Sequence, residues 1–324
     1  MLSSNNKNRL NARSPNSNRL RSEKKLLNKK NQLNPISDEQ SLKSINLRSL
    51  NWVGISEVQT FVQLKNYSLP CFADLHVDLR QGYRGIHMSR LYALIDSMIT
   101  QKTISFKNFD QLLTLAIESQ ENLATQAKAI FRFELPVKTK SLKSETSGFR
   151  KYPISIRIKK SLIKETALVT LEFEIIYSST CPQSSKLSKE FFKKQFKNKE
   201  QLQQWFDTDQ IYLATPHAQR SVMKVQLQFP SSFKIDFQKE IQNIEKILGT
   251  PVQTSVKKSD EMEFAYLNAQ NTMFCEDAAR KVADELDRQN KKIQKYTGYR
   301  LTVQHLESLH PHNAFSQISQ NFKM

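Results

Sequence analysis

Beyond residue 48, apolar positions recur along the chain with two clear periods. Residues 73–79 alternate strictly: Ala73, Leu75, Val77 and Leu79 fall on one face, Asp74, His76 and Asp78 on the other. That pattern predicts a half-buried strand. A shorter apolar run predicts another strand at 58–64. The period then changes. Leu91, Leu94, Ile95 and Met98 form one helical stripe over 88–100, and Leu112, Leu113, Ala116 and Ile117 a second over 109–123. Alternation returns at 128–136 (Ala129, Phe131, Phe133 and Leu135 inward), and a further strand follows at 154–160.

The second half repeats this order. Val169, Leu171, Phe173 and Ile175 alternate over 167–177, and Met223, Val225, Leu227 and Phe229 over 222–229. Helices are predicted at about 233–248 and 272–290, and a strand at 299–305. Two strand–strand–helix–helix–strand units imply an α+β fold built from a duplicated module, although no residue-level repeat is visible. A charged, aromatic helical stretch at 188–214 interrupts two strands that would otherwise pair. Its Phe192, Phe196, Leu202, Trp205 and Phe206 are expected to pack on the body. It reads as a lid or as a surface ornament.

Residues 1–48 break the pattern. Nine Asn precede Pro35, apolar anchors are few, and residues 1–50 carry 11 Lys/Arg against 3 Asp/Glu. Such a segment cannot bury enough surface to offset its ordering entropy, so it is expected to be a disordered basic extension. The expected organisation is this extension at 1–48, a first unit at 49–165, and a second at 166–324 carrying the insertion at about 189–213.

Composition narrows the function. The net charge of +18 suits an anionic partner. No basic–aromatic platform of a known nucleic-acid module appears, however, so nucleic acid is not the expected partner. Six Gly in 324 residues leave little for phosphate-cradling loops. Neither G-x-x-x-x-G-K-[ST] nor G-x-G-x-x-G occurs, which disfavours P-loop NTPases and Rossmann dehydrogenases. No apolar run reaches transmembrane length. Three cysteines cannot form a disulfide framework, and no secretory signal is evident. A soluble protein of the reducing cytoplasm is expected.

Candidate chemistry collects near strand ends. Cys181 opens Cys-Pro-Gln-Ser-Ser after a strand; taken alone, packing is the commoner role for such a thiol, and metal ligation or nucleophilic attack the alternatives. His217 lies in Pro-His-Ala-Gln-Arg-Ser just before another strand, and an imidazole and a thiol at facing strand ends suit a first-row divalent ion. Arg220 and Ser221 offer a cation and a hydroxyl to phosphate oxygens. Glu261 and Glu263 precede a helix that begins with Glu276 and Asp277; first-turn carboxylates also serve the helix dipole. His310 and His312 form a His-Pro-His turn. His87 and Arg90, in Gly-Ile-His-Met-Ser-Arg, sit at a helix start where an anion can be held. Cys275 reads as helix packing.

These blocks occur in one order: Gly85-Ile-His87-Met-Ser-Arg90, Cys181-Pro with Ser184, Pro216-His217-Ala-Gln-Arg220-Ser221, Asn271-x-Met-Phe-Cys-Glu276-Asp277 and Glu307-Ser-Leu-His310-Pro-His312. From about Asn51 to Ala314 the chain resembles the type IB GTP cyclohydrolase family. It departs where many members read Cys-Pro-Cys, having Gln183 instead, and in its long insertion. The resemblance implies the tunnelling fold, with two tandem modules of antiparallel sheet and two helices each, in a homotetramer with sites between subunits. It implies conversion of GTP to 7,8-dihydroneopterin triphosphate and formate, at the entry to tetrahydrofolate synthesis, with a divalent metal ion (Mn, Zn or Fe). It places Cys181, His217, Glu261 and His310 at the metal, with His310 also available as acid or base. It gives Glu276 the guanine edge or a proton-moving role, and Arg90, Arg220, Ser221 and His87 the triphosphate. A second reading on the same fold is a thiolate-dependent nitrile reductase, in which Cys181 attacks the substrate and no metal is needed.

Overall fold

The computed structural model describes residue 43 and residues 48–323, apart from 66, 209–213 and 231–233. The expected disordered extension therefore lies almost wholly outside the described residues.

Among the described residues, eight antiparallel strands form one sheet in sequence order. They are β1 (Leu50–Gln63), β2 (Ser68–Leu79), β3 (Gln126–Lys140), β4 (Ser147–Ser161), β5 (Lys164–Thr180), β6 (Ala218–Phe229), β7 (Gly298–His305) and β8 (Ala314–Gln320). Between β2 and β3 lie α1 (Met88–Ile95), continued by a π turn at Asp96–Thr100, and α2 (Phe106–Glu118). Between β5 and β6 lie α3 (Pro182–Gln195) and α4 (Lys199–Phe206), and between β6 and β7 lie α5 (Phe237–Leu248), α6 (Lys258–Gln270) and α7 (Cys275–Ile293). The fold is α+β, and the boundary expected at 165/166 falls at the start of β5, which pairs antiparallel with β4 through one register irregularity near Ser161.

The predicted alternation is the burial pattern. Ala73, Leu75, Val77 and Leu79 are buried on β2, as are Ala129, Phe131, Phe133 and Leu135 on β3 and Val169, Leu171, Phe173 and Ile175 on β5. Helices cover this face; Phe109 of α2, for example, stacks on Phe131 at 5.7 Å. The opposite face carries ion pairs such as Arg132–Asp74 at 2.7 Å and Lys224–Glu172 at 2.7 Å. The side-chain period of two thus separates an apolar layer from a charged one.

Four local expectations need correction. The stripe at 88–100 is not one regular helix, because α1 passes into the π turn. The helix predicted over 109–123 starts earlier, where Ser105 accepts the Asn108 N–H as N-cap, and ends at Glu118; Glu121 and Asn122 then turn the chain at φ 52° and 72°. Helix α6 has no predicted counterpart: among its residues only Asp260 is buried, and Met262 and Tyr266 are exposed, so no apolar stripe marks it. Finally, the insertion does not bury its aromatics in the body. Neither α3 nor α4 has a buried residue, and Phe192, Phe196, Trp205 and Phe206 pack on one another at 4.9–6.0 Å.

Candidate active site

Strands β5, β6 and β7 end side by side, and their pairing sets the site. Thr180 pairs with Ala218, and Ser221 with His305. Cys181 follows β5 directly and is the N-cap of α3, with Pro182 at the first helical position, where its missing N–H costs nothing. The Cys181 Sγ accepts the Ser184 N–H at 3.4 Å. The Cys181 N–H donates to the His217 carbonyl at 3.2 Å, and the His217 N–H donates to Ser184 Oγ at 3.2 Å. Cys181 and His217 are therefore tied to each other through their backbones and Ser184.

Glu307, two residues past β7, enters the same place. Its Oε2 lies 3.8 Å from His217 Nε2, and its Oε1 accepts from Gln219 Nε2 at 3.3 Å. The sequence block contains Glu307, but a role for it emerges only from the strand register. The start of α7 approaches from the other side, where the Met273 N–H donates to the Thr180 carbonyl at 3.1 Å. The Glu276 carboxyl is held below the usual range by its own backbone N–H at the helix start and by the Cys275 thiol, which donates to it at 3.3 Å. Among the described residues, buried Thr180 Oγ1 and Gln219 Oε1 find no hydrogen-bond partner, two such polar atoms next in sequence to Cys181 and near His217.

Beneath this lies a buried network that sequence reasoning missed. His305 accepts or donates at both ring nitrogens: Nε2 to Tyr177 OH at 2.9 Å and Nδ1 to Ser179 Oγ at 3.2 Å. Ser179 Oγ in turn bonds Ser221 Oγ at 2.7 Å. Burial pushes the His305 pKa down to about 4. The signal was available, since His305 follows Leu301 and Val303 in alternation and all three are buried.

The other predicted residues divide. Arg220 is exposed on β6. Ser221 points the opposite way, fully buried in the His305 network, and so does not present its hydroxyl to a phosphate. His310 is exposed in the β7–β8 loop and stacks on His312 at 5.1 Å. Glu261 is exposed in the first turn of α6. That end of the helix is tied to the β3–β4 hairpin, because Asp260 accepts the N–H groups of Lys143 and Ser144 at 2.7 and 2.9 Å. Among the described residues Glu261 is not grouped with Cys181 and His217. His87 and Arg90 lie in the first half. The His87 N–H donates to Gln120 Oε1 at 2.8 Å, and Arg90 pairs with Glu121 at 2.7 Å, so Arg90 clasps the end of α2. Among the described residues, no three His, Cys, Asp or Glu side chains gather closely enough to hold a metal ion. Cys181 and His217 supply two donors of the right chemistry for a first-row ion; a third is not in place.

Comparison with known proteins points to one family. The chain is 37% identical over 287 residues to the GTP cyclohydrolase FolE2 of Pseudoalteromonas translucida, covering 83% of this chain and 91% of that protein. It is 37% identical over 285 residues to the GTP cyclohydrolase FolE2 of Hydrogenovibrio crunogenus, covering 84% and 90%. Among solved structures, uricase from Arthrobacter globiformis aligns with a TM-score of 0.43 at 8% identity, over 83% of this chain and 93% of that one. The family model described as type I GTP cyclohydrolase folE2 matches residues 36–316, nearly all of the chain outside the basic extension, and the chain belongs to that family.

Proposed function

We propose that the protein is a GTP cyclohydrolase that converts GTP and water to 7,8-dihydroneopterin triphosphate and formate, at the entry to tetrahydrofolate synthesis. Family membership supports the activity. The observation that carries the chemistry is the clasp of Cys181 and His217, with Glu307 3.8 Å from the imidazole. A divalent ion (Mn, Zn or Fe) held by Cys181 and His217 would supply Lewis-acid activation of water for addition at guanine C8.

The chain's own groups supply the rest. Glu307 orients the His217 ring and stands ready to take a proton at its carboxylate. Glu276, kept ionised at the start of α7, is suited to accept hydrogen bonds from guanine N1–H and the 2-amino group. Arg220, exposed beside the site, offers a cation to the triphosphate. His310 is available as an acid or base once a substrate orders its loop.

The finer family reading is type IB, in its long-insertion branch, with the tunnelling fold, tandem modules and a cytoplasmic homotetramer. The repeated element order supports the modules. His87 and Arg90 are held against the end of α2 in the first half of the chain, which favours their acting on a neighbouring copy's site in a tetramer, while Glu261 remains the third candidate donor for the ion. No described helix is long and apolar enough to cross a membrane.

The test is stoichiometric. Incubation with GTP is expected to release formate and an oxidisable pterin in equal amounts. Glu276→Gln is expected to raise KM for GTP at least about tenfold, as loss of a charge-assisted pair to the base would. Product of another kind, or none from GTP, would contradict the reading.

A further inference from the structure

Far from Cys181, the first half of the chain holds a cavity whose wall carries Lys159 and Arg80 against a single carboxylate, Asp78. Lys128 of β3 and Lys159 of β4 are direct cross-strand partners. Like charges placed opposite each other destabilise a sheet. Both ammonium groups lie over the same indole: Lys128 Nζ is 4.6 Å and Lys159 Nζ 5.4 Å from the Trp52 ring centre. Neither lysine has an ion-pair partner among the described residues. Burial and Lys159 together hold the Lys128 pKa below the ordinary lysine value.

The one carboxylate in the wall is already committed. Asp78 Oδ1 accepts the N–H groups of Thr125 and Gln126 at 2.6 and 2.7 Å, and its Oδ2 accepts the Thr125 hydroxyl at 2.6 Å. Exposed Arg80 and Lys159 line the cavity together with Gln126, and Lys128 lies over Trp52, which is itself part of the wall. The cavity measures about 690 Å³, within the usual range for small-molecule sites. It lies at the end of the sheet where Lys159 pairs with Leu168; from there β5 runs 13 residues, about 40 Å of strand, to Cys181.

We propose that this cavity is a second ligand site, which binds an oligophosphate anion between Lys128, Lys159 and Arg80 against the Trp52 ring. A chain of phosphates would relieve the repulsion between the two lysines and satisfy three cations at once. The phosphate chain of a nucleotide and free tripolyphosphate share this chemistry. The site stands apart from the cyclohydrolase reading and does not depend on it.

Trp52 and Trp205 are the two tryptophans of the chain, so Trp205→Phe leaves Trp52 as the lone emitter. Titrating that variant with sodium tripolyphosphate is expected to give a saturable change in emission that persists in Cys181→Ala. Guanosine, which lacks phosphate, is expected to give none; GTP binding much more tightly than tripolyphosphate would show that the ligand is a nucleotide held through its phosphates. Lys128→Gln/Lys159→Gln on the same background is expected to weaken tripolyphosphate binding at least tenfold. Its urea midpoint should be unchanged or higher, because a like-charge pair is removed, and GTP turnover should stay within twofold. No saturable change, or equal binding by the double variant, would overturn the proposal.

Discussion

Glu307 and His217 meet across the end of β6, carboxylate Oε2 to imidazole Nε2 at 3.8 Å, although ninety residues separate them in the chain. The contact follows from register. Ser221 pairs with His305, and the Leu306 N–H donates to the Arg220 carbonyl at 3.0 Å, which carries Glu307 over the residues that follow His217. Removing the carboxylate while keeping its shape isolates its part in the reaction. Glu307→Gln is expected to lower kcat by about 10²–10⁴-fold with little change in the unfolding midpoint. Steady-state kinetics beside urea denaturation checks this; kcat within twofold of wild type would rule out a proton-transfer or ring-orienting role.

The His305 network makes a pH prediction. The folded-state pKa is near 4, against about 6.5 for an unfolded histidine. Between those values the unfolded chain binds a proton that the folded chain refuses, so stability falls as pH drops from about 6.5 to 4. The loss attributable to this residue is at most about 3 kcal/mol. Urea unfolding at pH 7.5 and 4.5 is expected to show a smaller acid loss for His305→Gln than for wild type. Equal losses would mean that His305 is not held neutral by burial.

Glu240 and Lys295 form a pair closed from water, with side chains 3% and 6% exposed and a 2.6 Å contact; Tyr296 OH also donates to Glu240 at 2.7 Å. Deleting one partner leaves the other charge buried. Lys295→Met is expected to cost about 3–5 kcal/mol, whereas Glu240→Leu combined with Lys295→Met is expected to recover most of that. Thermal or urea unfolding of the single and double variants measures it. A single variant within 1 kcal/mol of wild type would show that the pair is not confined.

The same comparison of local and long-range order explains what the sequence made legible. Strands β2, β3, β5 and β6 were readable because one face of each is buried and the other is not, so alternation survives in the residue order. Alternation also held the answer for Arg220 and Ser221: neighbours on β6, they face opposite ways, and only Arg220 reaches the surface. Helix α6 was invisible because it has no apolar stripe, and its start depends on Asp260 meeting a hairpin more than a hundred residues earlier. β8 is a short, half-exposed edge strand whose pattern carries little burial. Of the site, Cys181, His217 and Glu276 were found through their blocks. The sequence alone assigns Glu307 no role, because its partner is fixed by strand register rather than by spacing. The family pattern groups Glu261, His87 and Arg90 with Cys181; the described contacts of Arg90 are instead with the end of α2, and Glu261 joins no cluster with Cys181 and His217 among the described residues.

The most direct test of the account strips the purified protein of metal and assays GTP turnover with and without added manganese or zinc, for wild type and Cys181→Ala. Formate and pterin are expected from wild type only when metal is restored, and from Cys181→Ala under neither condition, with its secondary structure and unfolding midpoint retained. Turnover by the stripped wild-type protein, or near-normal turnover by metal-loaded Cys181→Ala, would contradict the assignment of Cys181 and His217 as the metal-holding pair.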